Sequence, residues 1–421
     1  MVRARSGTTE ETPTTSVGAP GVGRRTFLTG GAGAVAGAAA TWLGTRAAAD
    51  PAAPAPTPED AAGTATVPWR GEHQAGVVTA PQAFGTFLAM DLADDVDRDA
   101  LVRLMRVWTD DVDRLTTGRG GLSDTEPELA EVPARLTVTL GLGPGFFTAA
   151  DLEAQRPAWL GPLPAFGVDR LEDRWSGGDL VLQICADDPI TVAHAVRLLT
   201  KEARSFASVR WVQQGFRNAP GTTPSGQTMR NLFGQVDGTT NPRTGTDDAL
   251  IWAGGDGVPA WLEGGTTMVV RRIAMDVDRW DELDRTGREI VVGRDLDTGA
   301  PLTGGAEHDE VDLEATNELG FPVIDIASHV RRSRTSDPTQ RILRRAYNYD
   351  VPPKPGRLSS SGLIFVAFQA DLEHQFIPLQ RRLDEMDLLN EWTAPIGSAV
   401  FAVPGGVRTE GEYLAQRLLE G

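Results

Sequence analysis

Leu180-Val181-Leu182-Gln183-Ile184-Cys185-Ala186-Asp187 and Ile364-Phe365-Val366-Ala367-Phe368-Gln369-Ala370-Asp371 are two versions of one phrase. Each is a short apolar run that ends on Asp and enters a helical pattern, Ile190 to Phe206 in the first half and Leu372 to Met386 in the second. Such runs, closed by a residue that favours helix starts, read as buried strands. A second pair precedes them in each half. Phe87-Leu88-Ala89-Met90-Asp91-Leu92 resembles Arg272-Ile273-Ala274-Met275-Asp276-Val277. After the first of these, Val96, Ala100, Leu101, Leu104, Met105 and Trp108 recur at helical spacing. One pair alone carries little weight, because short apolar runs match by chance. Two pairs in the same order point to a duplicated α+β unit, hinged near residue 235, with antiparallel sheets and helices on one face.

The chain has 421 residues and a formal charge of −18, enough length for two or three domains and a substantial core. Five Arg against two Glu in the first 49 residues leave the remainder more acidic still. That charge excludes nucleic acid or anionic lipid as the main partner. The single Cys, Cys185, excludes a disulfide framework and a multi-Cys metal site; in its strand it reads as a small buried hydrophobe.

Residues 1–49 read as a twin-arginine export signal. Arg24-Arg25-Thr26-Phe27-Leu28 precedes an uncharged Gly/Ala-rich run to Thr45, and Ala47-Ala48-Ala49 supplies a small-residue cleavage pattern. The glycines make that run a poor spanning helix, and Gly23 stands where Ser or Thr commonly precedes the arginines. Residues 50–66, rich in Pro, Ala and Thr, read as a flexible linker. Folded halves are expected over 67–230 and 231–421, with a long, functional excursion between them from Trp211 to Asn241.

In that excursion lies Arg230-Asn231-Leu232-Phe233-Gly234-Gln235-Val236-Asp237-Gly238-Thr239-Thr240-Asn241-Pro242. Asp-Gly and Asn-Pro mark a tight turn, and two glycines let backbone approach a flat ligand with Asp237 aimed at it. A partner is expected in Asp325-Ile326-Ala327-Ser328-His329-Val330-Arg331-Arg332-Ser333-Arg334 and Arg341-Ile342-Leu343-Arg344-Arg345-Ala346-Tyr347-Asn348-Tyr349. Arginines crowded beside one His in an acidic chain suggest bound carboxylates or phosphates. Haem offers two propionates and requires an axial imidazole. Of the other histidines, His194 and His374 sit in helical patterns, nothing around His73 demands chemistry, and His308 lies in an acidic loop.

From Trp69 to the C-terminus the chain resembles the dye-decolourising peroxidases, and most of all their twin-arginine-exported subgroup that includes the deferrochelatase/peroxidase of iron uptake. The resemblance rests on Gly234-Gln235-Val236-Asp237-Gly238-Thr239, His329-Val330-Arg331, Leu343-Arg344-Arg345-Ala346-Tyr347 and Gly362-Leu363-Ile364-Phe365-Val366-Ala367-Phe368-Gln369. His73-Gln74-Ala75-Gly76, Leu389-Asn390-Glu391-Trp392-Thr393 and Gly397-Ser398-Ala399-Val400-Phe401-Ala402-Val403-Pro404 add to it.

The resemblance implies duplicated ferredoxin-like domains, with haem b held mainly by the C-terminal half. His329 would be the proximal iron ligand, with Asp237 and Arg344 on the distal face. Glu391 would accept the hydrogen bond from the other nitrogen of His329. Leu363 and Phe365 would restrict the distal pocket to small peroxides, and Gly238, Thr239 and Thr240 would pack near the porphyrin. Ser333, Arg334 and Thr335 would meet a propionate, where the family often carries Asn-Pro instead. An ionised Asp237 would move a proton between the oxygens of hydrogen peroxide while Arg344 stabilises developing charge. An Asp in that role predicts best activity at acidic pH. Bulky dyes or phenolics would be oxidised by electron transfer through Trp280, Tyr347 or Tyr349. Export would carry the folded, haem-loaded protein. Alternatives are a deferrochelatase working with iron-uptake components and a haem-binding protein without turnover; a homo-oligomer is left open.

Overall fold

The computed structural model describes residues 63–223 and 227–421. The expected export signal and residues 50–62 lie outside the described residues. The chain from residue 63 is already tied to the fold, for Gly63 and Ala65 accept backbone hydrogen bonds from Ala134 and Arg135.

Both repeated phrases are strands. In the first half, β1 (Phe84–Leu92), β2 (Thr137–Leu142), β3 (Leu180–Ala186) and β4 (Ala207–Phe216) form an antiparallel sheet in the order β2-β3-β1-β4. Helices Arg98–Leu115 and Pro189–Ala203 cross over between its strands. This is the ferredoxin-like βαββαβ arrangement. In the second half, β5 (Thr266–Met275), β8 (Ser361–Gln369) and β9 (Thr393–Val403) pair as β9-β5-β8, extended by the short strands β6 (Leu343–Arg344) and β7 (Tyr347–Asp350). The halves join edge to edge at two places, Leu142 opposite Ala402 and Phe216 opposite Asn348.

Local chemistry explains the helices. Asp97 caps Arg98–Leu115 by accepting from the Ala100 amide, Asp99 and Arg114 oppose the end charges of the helix, and Ala100, Leu101, Leu104, Met105 and Trp108 form its buried stripe. Asp371, the final Asp of the second phrase, and Asp188, the residue after the final Asp of the first, likewise cap the helical segments they open, accepting from the amides of His374 and Thr191. In the second half that segment begins with one wide turn, Leu372–Phe376, before the regular helix Ile377–Met386.

The expected excursion begins later than Trp211. Trp211, Gln213 and Gly215 are buried while Val212, Gln214 and Phe216 are exposed, so this stretch is the end of β4, with one face in the core. Its polar glutamines hid the alternation. From Arg217 to Thr223 and from Gln227 to β5 the described chain forms no strand and only one short helical turn, Asp248–Leu250, and it carries Asp237.

Candidate active site

Asp237 is held on a tight loop. Arg230 and Val236 make an isolated bridge, the Asp237 amide donates to Met229 O at 2.8 Å, and Gly234 and Gly238 adopt φ of +80° and +122°. The second value lies where a side chain is strongly disfavoured, which explains the Gly after Asp237. Phe233 anchors the loop by stacking on Trp280 at 4.5 Å. Asn241 then clamps the loop to β6: its Nδ2 donates to Arg344 O at 2.7 Å, and the Arg344 amide donates to its Oδ1 at 3.1 Å. Arg344 Nη1 consequently reaches Asp237 Oδ1 at 3.1 Å, with the carboxylate largely buried. The two residues assigned to one face of the site are therefore an ion pair.

His329 opens the short helix His329–Ser333. Its Nδ1 donates to Asp387 Oδ2 at 2.6 Å, and the other oxygen of Asp387 accepts from the Leu389 amide at 3.0 Å. Burial draws the imidazole pKa down, but the charge and hydrogen bond of Asp387 outweigh it and leave the pKa raised; Arg344 opposes and Asp237 reinforces this. His329 therefore senses all three of the other side chains electrostatically. The acidic partner of His329 is Asp387, not Glu391. Glu391 is exposed and meets Arg279 through its backbone carbonyl. The short turn Leu388–Glu391 separates the two acids and rotates the later one outward, whereas the Leu388 amide, bonded to Ala327 O, holds Asp387 beside the histidine.

Leu363 and Phe365 project from the same side of β8 into an apolar cluster with Phe233, Trp280 and Ala346. Thr239 donates to Glu307 at 3.0 Å, and Thr240 is exposed. Most of the arginine run is committed to protein. Arg331 donates to Ile324 O and Leu313 O, Arg332 to Arg382 O and Glu385, and Arg345 to Thr79 O and Gln82. Arg334 pairs with Glu310 at 2.9 Å and Arg341 with Asp247 at 2.8 Å. Ser333 bonds Val330 O, and Thr335 faces Gln340. Free cationic donors beside this run lie on a residue the sequence did not single out. Arg382 bonds Gln340 through Nη1, but its Nε and Nη2 are buried without partners. Trp280, Tyr347 and Tyr349 are all buried, at 1%, 0% and 3% exposure, so none is itself a surface oxidation site.

These residues fit a haem: a carboxylate-oriented imidazole, an acid–arginine pair within its field, an apolar wall and an orphaned guanidinium edge suited to a carboxylate. A cavity of about 720 Å³ lined by Arg156, Trp261, Arg408 and Arg417 contains none of them.

Residues 74–217 match the family described as Dyp-type peroxidase, N-terminal, and residues 228–408 match Dyp-type peroxidase, C-terminal. A dye-decolorizing peroxidase of Thermobifida fusca is 40% identical over 83% of this chain and 84% of its own. The chain belongs to the Dyp-type peroxidases. A deferrochelatase of Escherichia coli is 35% identical over 84% of this chain and 87% of its own. The crystal structure of a DyP-type peroxidase from Cellulomonas bogoriensis, 62% identical, superposes with a TM-score of 0.83 over 86% of this chain and 99% of that one. DtpA from Streptomyces lividans, 42% identical, gives 0.83 over 87% of this chain and all of its own. As a Dyp-type peroxidase this protein is a haem-dependent oxidoreductase that acts on peroxide, with the duplicated α+β fold described above.

Proposed function

We propose that this chain is an exported haem b peroxidase that reduces hydrogen peroxide at the Asp237–Arg344 pair and oxidises bulky aromatic reductants at its surface. The observation that carries the reading is the pairing of His329 with Asp387 and of Asp237 with Arg344, within electrostatic reach of one another. His329 would bind iron through Nε2, and Arg382, aided by the Thr335–Gln340 pair, would take a propionate. Bound there, haem would supply the electrons for cleaving the O–O bond. Asp237 accepts the proton of the incoming peroxide and returns it to the departing oxygen. Arg344, paired with Asp237 at 3.1 Å, positions its carboxylate and stabilises negative charge on that oxygen. Leu363 and Phe365 narrow the approach to small peroxides.

A dye cannot reach this interior, so electrons must enter from outside. Tyr349 lies under the Arg272 guanidinium, 3.6 Å from its ring centre, and the same guanidinium lies 4.4 Å over Trp175, which is half-buried. Trp175 is the outer end of this stack. Residues 24–49 support export by the twin-arginine route. The relatives named deferrochelatase favour a second reading, release of iron from haem in iron uptake.

The test is anaerobic incubation of the haem-loaded protein with excess haem and a reductant, beside peroxide-driven dye oxidation. Dye turnover lost in Asp237→Asn, with no iron-free tetrapyrrole formed by either protein, supports the peroxidase reading. Metal-free porphyrin formed by both would replace it with the second.

A further inference from the structure

Tyr347 is a residue of the second half whose side chain lies across the sheet of the first. Two glycines clear its path. A Cβ at Gly215 on β4 would stand 2.6 Å from the Cβ of Tyr347, and one at Gly85 on β1 would stand 3.1 Å from its ring atoms Cε1 and Cζ. The same point on Gly85 lies 3.2 Å from the Sγ of Cys185, the residue that faces Gly85 across the β1–β3 ladder. One missing methyl thus brings the hydroxyl-bearing edge of Tyr347 against the only thiol of the chain. Both side chains are fully buried, and the Tyr347 hydroxyl makes no hydrogen bond of good geometry; the Cys185 thiol is the polar group beside it. A buried phenol with no better partner than a thiol costs free energy, and nothing about packing requires one where Phe would fill the same slot.

The surroundings exclude ordinary thiol chemistry. Burial pushes the Cys185 thiol up, against the pull of Arg345, and it pushes the Tyr347 phenol up against Arg345 and Arg217. A thiol kept protonated is a poor nucleophile toward peroxide, so Cys185 is not oxidised by direct attack. The ring does have neighbours in common with the proposed peroxide site. Tyr347 follows Arg344 by three residues, and the Arg217 guanidinium stands 5.8 Å from its ring while sensing the charge of Asp237.

We propose that Tyr347 and Cys185 form an internal redox pair that, when peroxide is turned over without an external reductant, closes into a thioether between Tyr347 Cε1 and Cys185 Sγ. The proposal rests on the peroxidase reading, which supplies the oxidant. The S–H bond of Cys185 and the Cε1–H bond of Tyr347 break, and one C–S bond forms. Two electrons and two protons leave and convert one hydrogen peroxide to two waters. The product ties β3 of the first half covalently to β7 of the second.

The experiment uses haem-loaded protein given a few equivalents of hydrogen peroxide with no reductant, then denatured, alkylated with iodoacetamide, weighed intact and digested. A parallel sample oxidises dye, so that loss of peroxidase activity is seen separately. The expected result is a 2 Da decrease for the Tyr–Cys link, a Cys185 that no longer alkylates, and one joined peptide containing Cys185 and Tyr347. Tyr347→Phe keeps the ring in place and should keep its thiol free with no mass loss. A sample that oxidises dye while Cys185 stays fully alkylatable, or gains oxygen without joining Tyr347, overturns the proposal and leaves the peroxidase reading intact. Failure of dye oxidation in the parallel sample overturns both.

Discussion

At the scale of single residues, the acid beside His329 decides how its imidazole is oriented. Asp387 is almost fully buried, and it fixes which nitrogen of His329 is left to bind. Asp387→Asn should lower haem affinity or peroxidase kcat/KM about 10- to 100-fold, the usual cost of losing such a partner. Glu391→Gln should change neither, and haem titration with steady-state kinetics separates the two. Asp237→Asn should lower kcat/KM for peroxide roughly 10²- to 10⁴-fold, the range for losing a general base, while the Soret band persists. A variant that lost the band as well would mean that Asp237 serves binding, not proton transfer.

Between elements, two seams carry testable weight. Asn241 joins the loop of Asp237 to the strand of Arg344 with two hydrogen bonds to backbone. Asn241→Ala leaves those backbone groups unmet, at about 1–3 kcal/mol. It should lower the melting temperature and also kcat/KM for peroxide, because the acid–arginine separation is no longer fixed. The other seam lies where helix Arg98–Leu115 faces helix Pro189–Ala203. There Asp111 is 3% exposed, and its Oδ2 has no partner. Burial first, then Glu202 and Asp110, push its pKa up from 3.8 to about 6. The folded state therefore holds this proton more tightly than the unfolded state. Its stabilising effect is full below about pH 4 and is lost as pH rises through about 6, at a cost of about 3 kcal/mol. Asp111→Asn should raise the melting temperature at pH 7 and change it little near pH 4; equal shifts at both would show that the carboxylate is not the cause.

For the molecule as a whole, the proposed function asks how an interior oxidant would reach a substrate too large to enter. The stack of Tyr349, Arg272 and Trp175 crosses from the second half to a half-buried ring of the first. Trp175→Phe should slow oxidation of a bulky dye about tenfold, ~1.4 kcal/mol of barrier, while peroxide consumption with a small reductant is unchanged. Parallel loss of both activities would place the dye elsewhere.

The duplicated α+β fold was legible because each strand phrase and the Asp at or just after its end are local signals, set by period and by the chemistry of helix ends. Asp237 and its glycines were legible for the same reason: a positive φ and a tight loop leave their mark in adjacent residues. His329 and Arg344 were reached through the family's motifs, and their roles are part of the proposed function. What tertiary structure alone decided is which groups meet. Asp387 displaced Glu391 because a short turn reverses the direction of side chains four residues apart. Arg382 emerged because its Nε and Nη2 are buried without partners, whereas Arg331, Arg332, Arg334 and Arg341 are committed to carbonyls and carboxylates. Tyr347 reaches Cys185 only because Gly85 and Gly215, on two other strands, are both bare. Periodicity records which face a residue presents, whereas packing across the sheet decides what that face touches.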